Sequence, residues 1–468
     1  MNIKLTLLVS IVLFQTWGLA QTNDQSVLLK QYFEGQNKYF KFNGNVLVAK
    51  DNKVIYSGAH GLADYKNKVR LNENTIFELA SVSKQFTAMA IMILKEKNKL
   101  SLGDDIKTYF PGLPYEGITI KELLTHTSGI PSYEDQFEKY WDRSKIAYNK
   151  DIPEMLIARK DTMLFPHGTK WMYSNTGYAL LASIIEKVSG MKYGDYLAKY
   201  IFKPLGMKHT FVYNTRRSLK KIPANYALGH VYSDSLKSYV LPDDLKEYDM
   251  VFYLDGIVGD GCVNSTIGDL FIWSNAFTTA HLVSKDGITE MQSPIAQTNP
   301  KDSNTFYGYG LGIQKKSDKG KVISHSGGWP GYHTLLIRKP EVNETIILLS
   351  NNESNLPFFR AAIESILNNE KLELPYEHKE ITIDSKLLHD YAGKYFAALT
   401  MEFVVKDNKL YRRRQGTTDI ELKPESATKF FYADGTDRQI EFVRDADGKV
   451  TKGWFINMGQ KGEMKRVE

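Results

Sequence analysis

Cysteine is almost absent from the sequence, since Cys262 is the only one among 468 residues. An intrachain disulfide is therefore impossible, and Cys262 is expected to be a small buried residue rather than a nucleophile. The ten histidines are scattered, and none has the H-E-x-x-H or H-x-H-x-D spacing of a metal site. The sequence therefore predicts neither a catalytic metal nor a cofactor.

Long apolar runs and a strong charge of one sign are also missing. No segment after the N-terminus is long and apolar enough to predict a membrane span. The formal net charge of +6, from 60 basic and 54 acidic residues, is small for this length. The basic runs at 216–221 and 412–414 have no nucleic-acid-binding motif beside them, so we expect solvated surface there. A small molecule or short peptide is the expected partner, and the oligomeric state is left open.

The first 20 residues have the pattern of a secretory signal peptide. Lys4 precedes an apolar run over 5–14, and small residues at 18–20 come just before Gln21. The apolar run is too short to cross a bilayer as a helix. We therefore predict a signal peptide over 1–20 and an exported protein, periplasmic or extracellular.

A serine and a lysine three residues apart occur at four places in the chain, and their context distinguishes them. A lysine on the same helical face can take the proton of the serine hydroxyl, which is otherwise a poor nucleophile. After Ser81 and Lys84 the apolar residues have helical spacing, which predicts a buried helix with the pair in its first turn. Free N–H groups and the positive end of the helix dipole favour a developing negative charge there. The other three pairs lack this setting: Ser189/Lys192, Ser218/Lys221 and Ser426/Lys429.

A second motif of interest is formed by Tyr173 and Asn175. The two residues alternate on an extended segment, so both side chains can point the same way. A helix over 178–189 is expected to follow and to stop at Gly190.

A third motif begins at His325. His325, Ser326 and Gly327 are predicted to lie on a strand, with polar groups along one wall of a cleft. Because Gly328 has no side chain, its backbone N–H could closely approach a substrate oxygen.

Three other stretches receive structural predictions. His126 and Thr127 are expected to fix a loop near the site through hydrogen bonds. A helical insertion over 132–164 could form a wall of the binding cleft. The glycine-rich turn at 256–265 lacks the phosphate-binding pattern G-x-x-x-x-G-K-[ST], so close backbone packing is expected there.

The order of elements predicts an α/β (α+β) chain of two domains after the signal peptide. Residues 21–370 contain a hairpin over 44–58, a strand over 307–313 and further antiparallel strands and helices. A polar linker at 371–380 is followed by short strands and turns over 381–468, which are typical of a small all-β barrel. The barrel could cap the cleft and restrict substrate size.

The three motifs, in this order, resemble those of the serine β-lactamase and penicillin-binding superfamily, in particular its class C-like branch. That branch includes class C β-lactamases, D-Ala-D-Ala carboxypeptidases, D-aminopeptidases and esterases. The segment Leu-Leu-Thr-His-Thr-Ser-Gly at 123–129 and the turn at 259–261 add to the resemblance, which covers roughly 35–370. The resemblance implies an antiparallel sheet flanked by helices, with a helical lobe. The C-terminal segment looks like the lipocalin-like barrel often appended to such enzymes.

The resemblance also implies a role for each motif residue. Ser81 would be the acyl-accepting nucleophile, Lys84 would share its proton, and Tyr173 would be the phenolic acid/base. The backbone N–H groups of Ser81 and Gly328 would form the oxyanion hole. The substrate-binding residues implied are Asn175, which would hold the substrate amide, together with His325, Ser326, Gly327 and Trp329.

The residue at position 325 bears on the expected substrate. β-Lactamases and carboxypeptidases of this group generally carry lysine there, whereas histidine is mostly neutral near pH 7 and anchors a carboxylate less well. The H-S-G form is more similar to the D-aminopeptidase and esterase side. We therefore predict an exported serine hydrolase that acts through an acyl-enzyme on small amides, D-amino-acid peptides or esters. A class C-type β-lactamase or D-Ala-D-Ala carboxypeptidase and a non-catalytic cell-wall peptide-binding protein remain alternatives.

Overall fold

The structure is a computed structural model that describes residues 24–215, 222–414 and 416–467. The predicted signal peptide and the pair Ser218/Lys221 lie outside these residues. Across the described ranges, no helix is both long and apolar enough to cross a membrane.

The helices follow the apolar periodicity of the sequence. Their bounds are α1 Gln25–Phe40, α2 Lys84–Glu96, α3 Ile120–Leu124, α4 Tyr133–Tyr140, α5 Asp151–Arg159, α6 Asn175–Ser189, α7 Tyr193–Leu197, α8 Lys203–Leu205, α9 Met250–Tyr253, α10 Ile267–Thr279, α11 Lys285–Met291, α12 Leu356–Leu367 and α13 Lys386–Tyr391.

The strands fall into two main groups along the chain. The first group comprises β1 Gly44–Lys50, β2 Lys53–His60, β3 Leu62–Asp64, β4 Val69–Arg70, β5 Phe77–Glu78, β6 Phe211–Val212, β7 Val231–Ser233, β8 Ser238–Val240, β9 Val263–Ser265, β10 Ala296–Gln297, β11 Thr305–Tyr307, β12 Gly312–Ser317, β13 Gly320–Trp329, β14 Tyr332–Lys339 and β15 Glu344–Ser350. The second group comprises β16 Gly393–Phe396, β17 Thr400–Lys406, β18 Lys409–Arg413, β19 Ile420–Pro424, β20 Lys429–Tyr432, β21 Arg438–Arg444, β22 Val450–Asn457 and β23 Gln460–Arg466.

An eight-stranded antiparallel sheet forms the centre of the first group, in the order β10-β11-β12-β13-β14-β15-β1-β2. Its central strands are apolar on both faces because helices cover both sides. On β1, Leu47 and Ala49 join the core that contains α2 and α10. Val46 and Val48 point the other way and pack with α1 and α12. This arrangement confirms the predicted antiparallel sheet flanked by helices.

The predicted single strand over 307–313 is wrong, because the structure has two strands, β11 and β12, which pair antiparallel across a turn at 308–311. Gly310 has a φ of +69°, and a Cβ atom there would lie 2.7 Å from the carbonyl oxygen of Lys84. The turn therefore lies against the start of α2, where only a glycine fits at position 310.

The second group of strands closes into an eight-stranded antiparallel barrel, β16 to β23. Its interior is filled with side chains that include Tyr395, Phe403, Phe430 and Phe442. Residues 371–384 precede the barrel without regular secondary structure.

The barrel contacts the side of the sheet that carries α1 and α12. Gln36 Nε2 donates to Asp437 Oδ2 at 2.6 Å, and Gln460 Nε2 donates to Ser365 Oγ at 3.0 Å. The helices therefore lie between the barrel and the sheet.

Candidate active site

Ser81 lies in a 3₁₀ turn over Ala80–Ser83 that runs directly into α2 at Lys84. The turn packs against β13, where a Cβ atom on Gly327 would lie 2.2 Å from Leu79 O and 3.1 Å from Ser81 N. On the other side, Ser83 Oγ accepts the N–H of Val263 at 3.0 Å. Ser81 is thus fixed at the start of a buried helix, as predicted.

The Lys84 side chain is fully buried beside Ser81. Its Nζ donates to Ser81 Oγ at 3.1 Å, to Asn175 Oδ1 at 2.7 Å and to the Asp260 carbonyl oxygen at 2.8 Å. These three acceptors match the three N–H donors of an ammonium group. A neutral amine at the same place could accept the Ser81 proton, and the other two oxygens would then stabilise the cation that forms.

Asn175 is the first residue of α6, so the helix begins three residues earlier than predicted. The extended segment ends at Ser174, whose side chain accepts the N–H of Gly177 and caps the helix. The Asn175 amide bridges two residues, because Oδ1 accepts from Lys84 and Nδ2 donates to Glu134 Oε1 at 2.6 Å. The second N–H of the amide is left for a substrate.

Tyr173 lies beside Lys84 but does not bond to it. The Lys84 Nζ is 4.9 Å from the centre of the phenol ring, and Tyr173 is 38% exposed. Within the described part of the chain, no hydrogen bond joins the Tyr173 hydroxyl to Ser81 or Lys84. Hydrogen bonds used in catalysis are often long before substrate binds, so this distance leaves an acid/base role open.

His325 is buried on β13 and held by two hydrogen bonds. Its Nδ1 donates to Ser326 O at 2.6 Å, and its Nε2 accepts from the Tyr307 hydroxyl at 2.8 Å. Burial, together with the nearby Lys84 cation, lowers the pKa of His325 to about 4. The imidazole is therefore neutral at pH 7, as the sequence led us to expect.

The predicted site residues other than Lys84 and Gly327 line one of two spaces. Ser81, Asn175, Gly328 and Trp329 line a cleft of about 120 Å³. A neighbouring cavity of about 380 Å³ is lined by Tyr173, His325 and Ser326, together with Trp171 and Tyr307. Gly327 belongs to neither, because it packs beneath the Ser81 turn.

Two carboxyl groups, those of Glu134 and Asp260, lie close together at the cleft around Ser81. The Lys84 cation offsets part of their repulsion. Burial and the nearby Asp260 carboxylate raise the pKa of Glu134. A positively charged group on a ligand would relieve this repulsion.

Sequence reasoning missed the residues that complete the cleft. Glu134 and Tyr133 begin α4 inside the insertion at 132–164, which was predicted only as a wall. The Tyr133 hydroxyl donates to Asp260 Oδ2 at 2.8 Å. An acidic residue just after the helix-capping Ser132 was the one available signal, and it is too common to be specific.

The glycine-rich turn at 256–265 packs closely, as predicted. A Cβ atom on Gly256 would lie 2.0 Å from Ala147 O, and one on Gly259 would lie 2.6 Å from Tyr178 O. This packing brings the Asp260 carbonyl to Lys84. Among the described residues, no three His, Cys, Asp or Glu side chains are grouped to hold a metal ion.

Two expectations from the sequence are not supported at this site. Cys262 is only partly buried and lines the cleft; its Sγ donates to Ile257 O at 3.1 Å and accepts from Asn214 Nδ2 at 3.2 Å. The expectation of a buried cysteine is therefore wrong. The barrel supplies none of the described residues that line the cleft, so the structure gives no support to a cap over it.

The chain is similar to known proteins in both sequence and fold. The Beta-lactamase family matches residues 31–370. Penicillin-binding protein 4* of Bacillus subtilis is 41% identical over 427 residues, which cover 90% of this chain and 94% of that protein.

Solved structures of proteins from two further organisms have the same fold. The octameric penicillin-binding protein homologue from Pyrococcus abyssi superposes with a TM-score of 0.64 at 26% identity, over 93% of this chain and 99% of its own. The D-amino acid amidase from Ochrobactrum anthropi SV3 superposes with a TM-score of 0.60 at 24% identity, over 74% of this chain and 99% of its own.

Proposed function

Because this chain belongs to the Beta-lactamase family of serine hydrolases, we propose that it is an exported enzyme that cleaves small amides, D-amino-acid peptides or esters through an acyl-enzyme. The observation that carries this proposal is the hydrogen bond of 3.1 Å between Lys84 Nζ and Ser81 Oγ in a buried setting. It joins a nucleophile to a group that can take its proton.

The reaction would proceed in two halves. Ser81 Oγ attacks the substrate carbonyl carbon, while its proton passes to Lys84 or Tyr173 and then to the departing amine or alcohol. The N–H groups of Ser81 and Gly328 stabilise the negative oxygen, at about 2.7–4 kcal/mol per donor by analogy with other hydrolases. Water then attacks the acyl carbonyl carbon and gives one proton, through the same base, to Ser81 Oγ, which breaks the ester bond and releases the acid.

The carboxyl pair of Glu134 and Asp260 supports a substrate with a free ammonium group near the scissile bond. Glu134 is mostly buried and shares the cleft with Asp260, so a cation there would replace repulsion with attraction. Asn175, held between Lys84 and Glu134, would donate its remaining N–H to the carbonyl oxygen of the substrate amide. An amide or ester of an amino acid with a free α-amino group fits these demands.

A carboxylate-bearing substrate is held less well by the cavity beside this cleft, which contains His325. The neutral His325 imidazole lacks the charge with which a lysine would hold the carboxylate of a penicillin or of a terminal D-Ala. This argues against the class C-type β-lactamase and D-Ala-D-Ala carboxypeptidase alternatives.

Covalent labelling tests the nucleophile directly. The intact mass should show one fluorophosphonate adduct on the wild type and on Ser426→Ala, which alters another S-x-x-K pair. It should show no adduct on Ser81→Ala. An adduct that persists in Ser81→Ala would reject the proposal. Absence of any adduct, with ligand binding retained, would favour a non-catalytic binding protein.

A substrate panel tests the specificity. Chromogenic D-amino-acid amides, short-chain esters and a cephalosporin should be compared on the wild type and Ser81→Ala. We expect turnover of free-amine substrates and little of the cephalosporin. Efficient cephalosporin hydrolysis would favour the β-lactamase alternative instead.

Export is tested on the cell rather than on the purified enzyme. We expect the mature protein outside the cytoplasm, with Gln21 as its first residue. A cytoplasmic protein that keeps residues 1–20 would contradict this part of the proposal.

A further inference from the structure

A second cavity, larger than the cleft around Ser81, lies where the barrel meets α1 and the β7–β8 hairpin. Its volume is about 850 Å³, against about 120 Å³ for the cleft around Ser81. It is lined by the end of α1, the hairpin, the segment before α12 and two turns of the barrel. Small-molecule sites have volumes in this range and often occur between domains. We refer to it as the junction cavity.

Unpaired hydrogen-bonding capacity lies behind the inner wall of the junction cavity. Gln36 is fully buried, and its Nε2 donates to Asp437 Oδ2 at 2.6 Å. Its Oε1 is shielded from solvent and has no hydrogen-bond partner within the described ranges. Burial raises the pKa of the Asp437 carboxyl. Leaving a buried acceptor unpaired is unfavourable, so an O–H or N–H donor of a ligand would pair with it once the side chains over it shift.

Aromatic rings form the outer part of the same cavity. Tyr232 and Phe358 line it and are 42% and 41% exposed, although both are large and apolar. An exposed ring face can stack against a flat C–H face of a ligand. The cavity therefore combines a polar interior with stacking surfaces at its edge.

The charges around the cavity argue against an anionic ligand. Its lining has two basic residues, Lys41 and Arg438, and four acidic ones. Arg438 is paired with Asp434, and Lys41 Nζ lies 5.4 Å from the centre of the Tyr232 ring. No surplus of positive charge is available for a phosphate or sulfate.

We propose that the junction cavity binds a neutral sugar ring of an oligosaccharide. The ring hydroxyls would donate to Gln36 Oε1 and Asp437, and its flat face would stack on Tyr232. A sugar ring satisfies both demands, since it carries several hydroxyl donors around an apolar face. This site is separate from the cleft around Ser81 and does not depend on the reaction proposed there.

Calorimetric titration of the full mature protein with maltotriose, cellotriose and N-acetylchitotriose tests the proposal. We expect saturable binding of at least one of the three sugars. Tyr232→Ala should weaken it at least about tenfold, because truncation of a stacking aromatic commonly has such an effect. Tyr140→Ala is the matched control, because Tyr140 is 40% exposed and lines neither cavity. The affinity of Tyr140→Ala for the sugar should equal that of the wild type.

Three outcomes would overturn the proposal: no saturable binding of any of these sugars, equal affinity in Tyr232→Ala, or binding of inorganic phosphate in their place. Fluorophosphonate labelling of Ser81 on the same samples separates this test from that of the enzyme. Labelling should be the same in wild type, Tyr232→Ala and Tyr140→Ala. A wild type that binds a sugar but is not labelled would reject the hydrolase. A wild type that is labelled but binds none of the sugars would reject the second site.

Discussion

His126 Nδ1 accepts a hydrogen bond from the backbone N–H of Ser174 at 3.0 Å. The carbonyl oxygen of His126 accepts the N–H of Met172 at 2.9 Å, so one histidine holds the residues on both sides of Tyr173. Its ring also packs against the Tyr173 ring, with the two centres 4.3 Å apart. Burial lowers the pKa of His126 well below its usual value, which keeps Nδ1 free of a proton and able to accept.

Replacing His126 should therefore impair Tyr173. In His126→Ala we expect kcat to fall about a hundredfold with a smaller change in KM, since a catalytic group displaced by about 1 Å has an effect of this size. His126→Asn should recover part of kcat, because asparagine tolerates the positive φ of 60° and its amide oxygen can accept the Ser174 N–H. Steady-state kinetics and thermal unfolding of the same samples would check this.

His167→Ala is the control for this prediction. His167 lies in the same segment as Tyr173, between α5 and α6. It is more exposed than His126 and is paired with Glu122. It should leave kcat close to that of the wild type. If the loss of kcat in His126→Ala only matches the fraction of protein unfolded, His126 has no positioning role.

The buried histidines should make the protein less stable in weak acid. In the unfolded chain His325 binds a proton below its usual pKa of 6.5, whereas in the folded protein it does so only below about 4. Stability from this group is therefore complete above pH 6.5 and decreases as the pH falls from 6.5 to about 4. The loss is at most about 3 kcal/mol.

Urea unfolding of the wild type and His325→Gln across this pH range would measure the effect. The variant should show a smaller loss of unfolding free energy than the wild type. Parallel curves for the two proteins would mean that His325 titrates alike in the folded and unfolded states.

Glu134 should select substrates with a free amino group. Glu134→Gln keeps an oxygen to accept from Asn175 but removes the charge, so KM for a D-amino-acid amide should rise about 10- to 100-fold. KM for the N-acetylated amide should not change. In the wild type, the preference for the free amine should weaken as the pH falls through the raised pKa of Glu134, because the carboxylate is then protonated.

Glu138→Gln is the matched control, since Glu138 is an exposed residue of the same helix. Its KM values should equal those of the wild type. An equal rise of KM for the free and the acetylated amide in Glu134→Gln would indicate a general disturbance of the cleft.

Gly327 should not tolerate a side chain. In Gly327→Ala the new methyl group would meet Leu79 O at 2.2 Å and push the Ser81 turn away from β13. We expect a loss of about 1–3 kcal/mol in stability and of about a hundredfold in kcat/KM. Gly268→Ala, where the nearest atom is 3.9 Å away, should keep full activity. Normal fluorophosphonate labelling of Gly327→Ala would contradict this prediction.

Much of the fold followed from local patterns. The apolar residues after Lys84 predicted a buried helix, and the short apolar runs near residues 44–58 predicted a hairpin, because each pattern records the burial of its own element. The turn at 308–311 was missed although Gly308 and Gly310 are a local turn signal, because the alternating residues around them also fit a single strand. The early start of α6 depends on the Ser174 cap, a signal that many serines share.

Residue types and spacing were enough to predict the chemistry of the candidate site: a serine and a lysine one helical turn apart, with tyrosine and histidine motifs in a fixed order. Which other groups meet these residues depends on the folded chain. The Asp260 carbonyl reaches Lys84, and Glu134 reaches Asn175, from segments remote from both in the chain. Spacing records which residues share one element, whereas contacts between elements depend on how the whole chain packs.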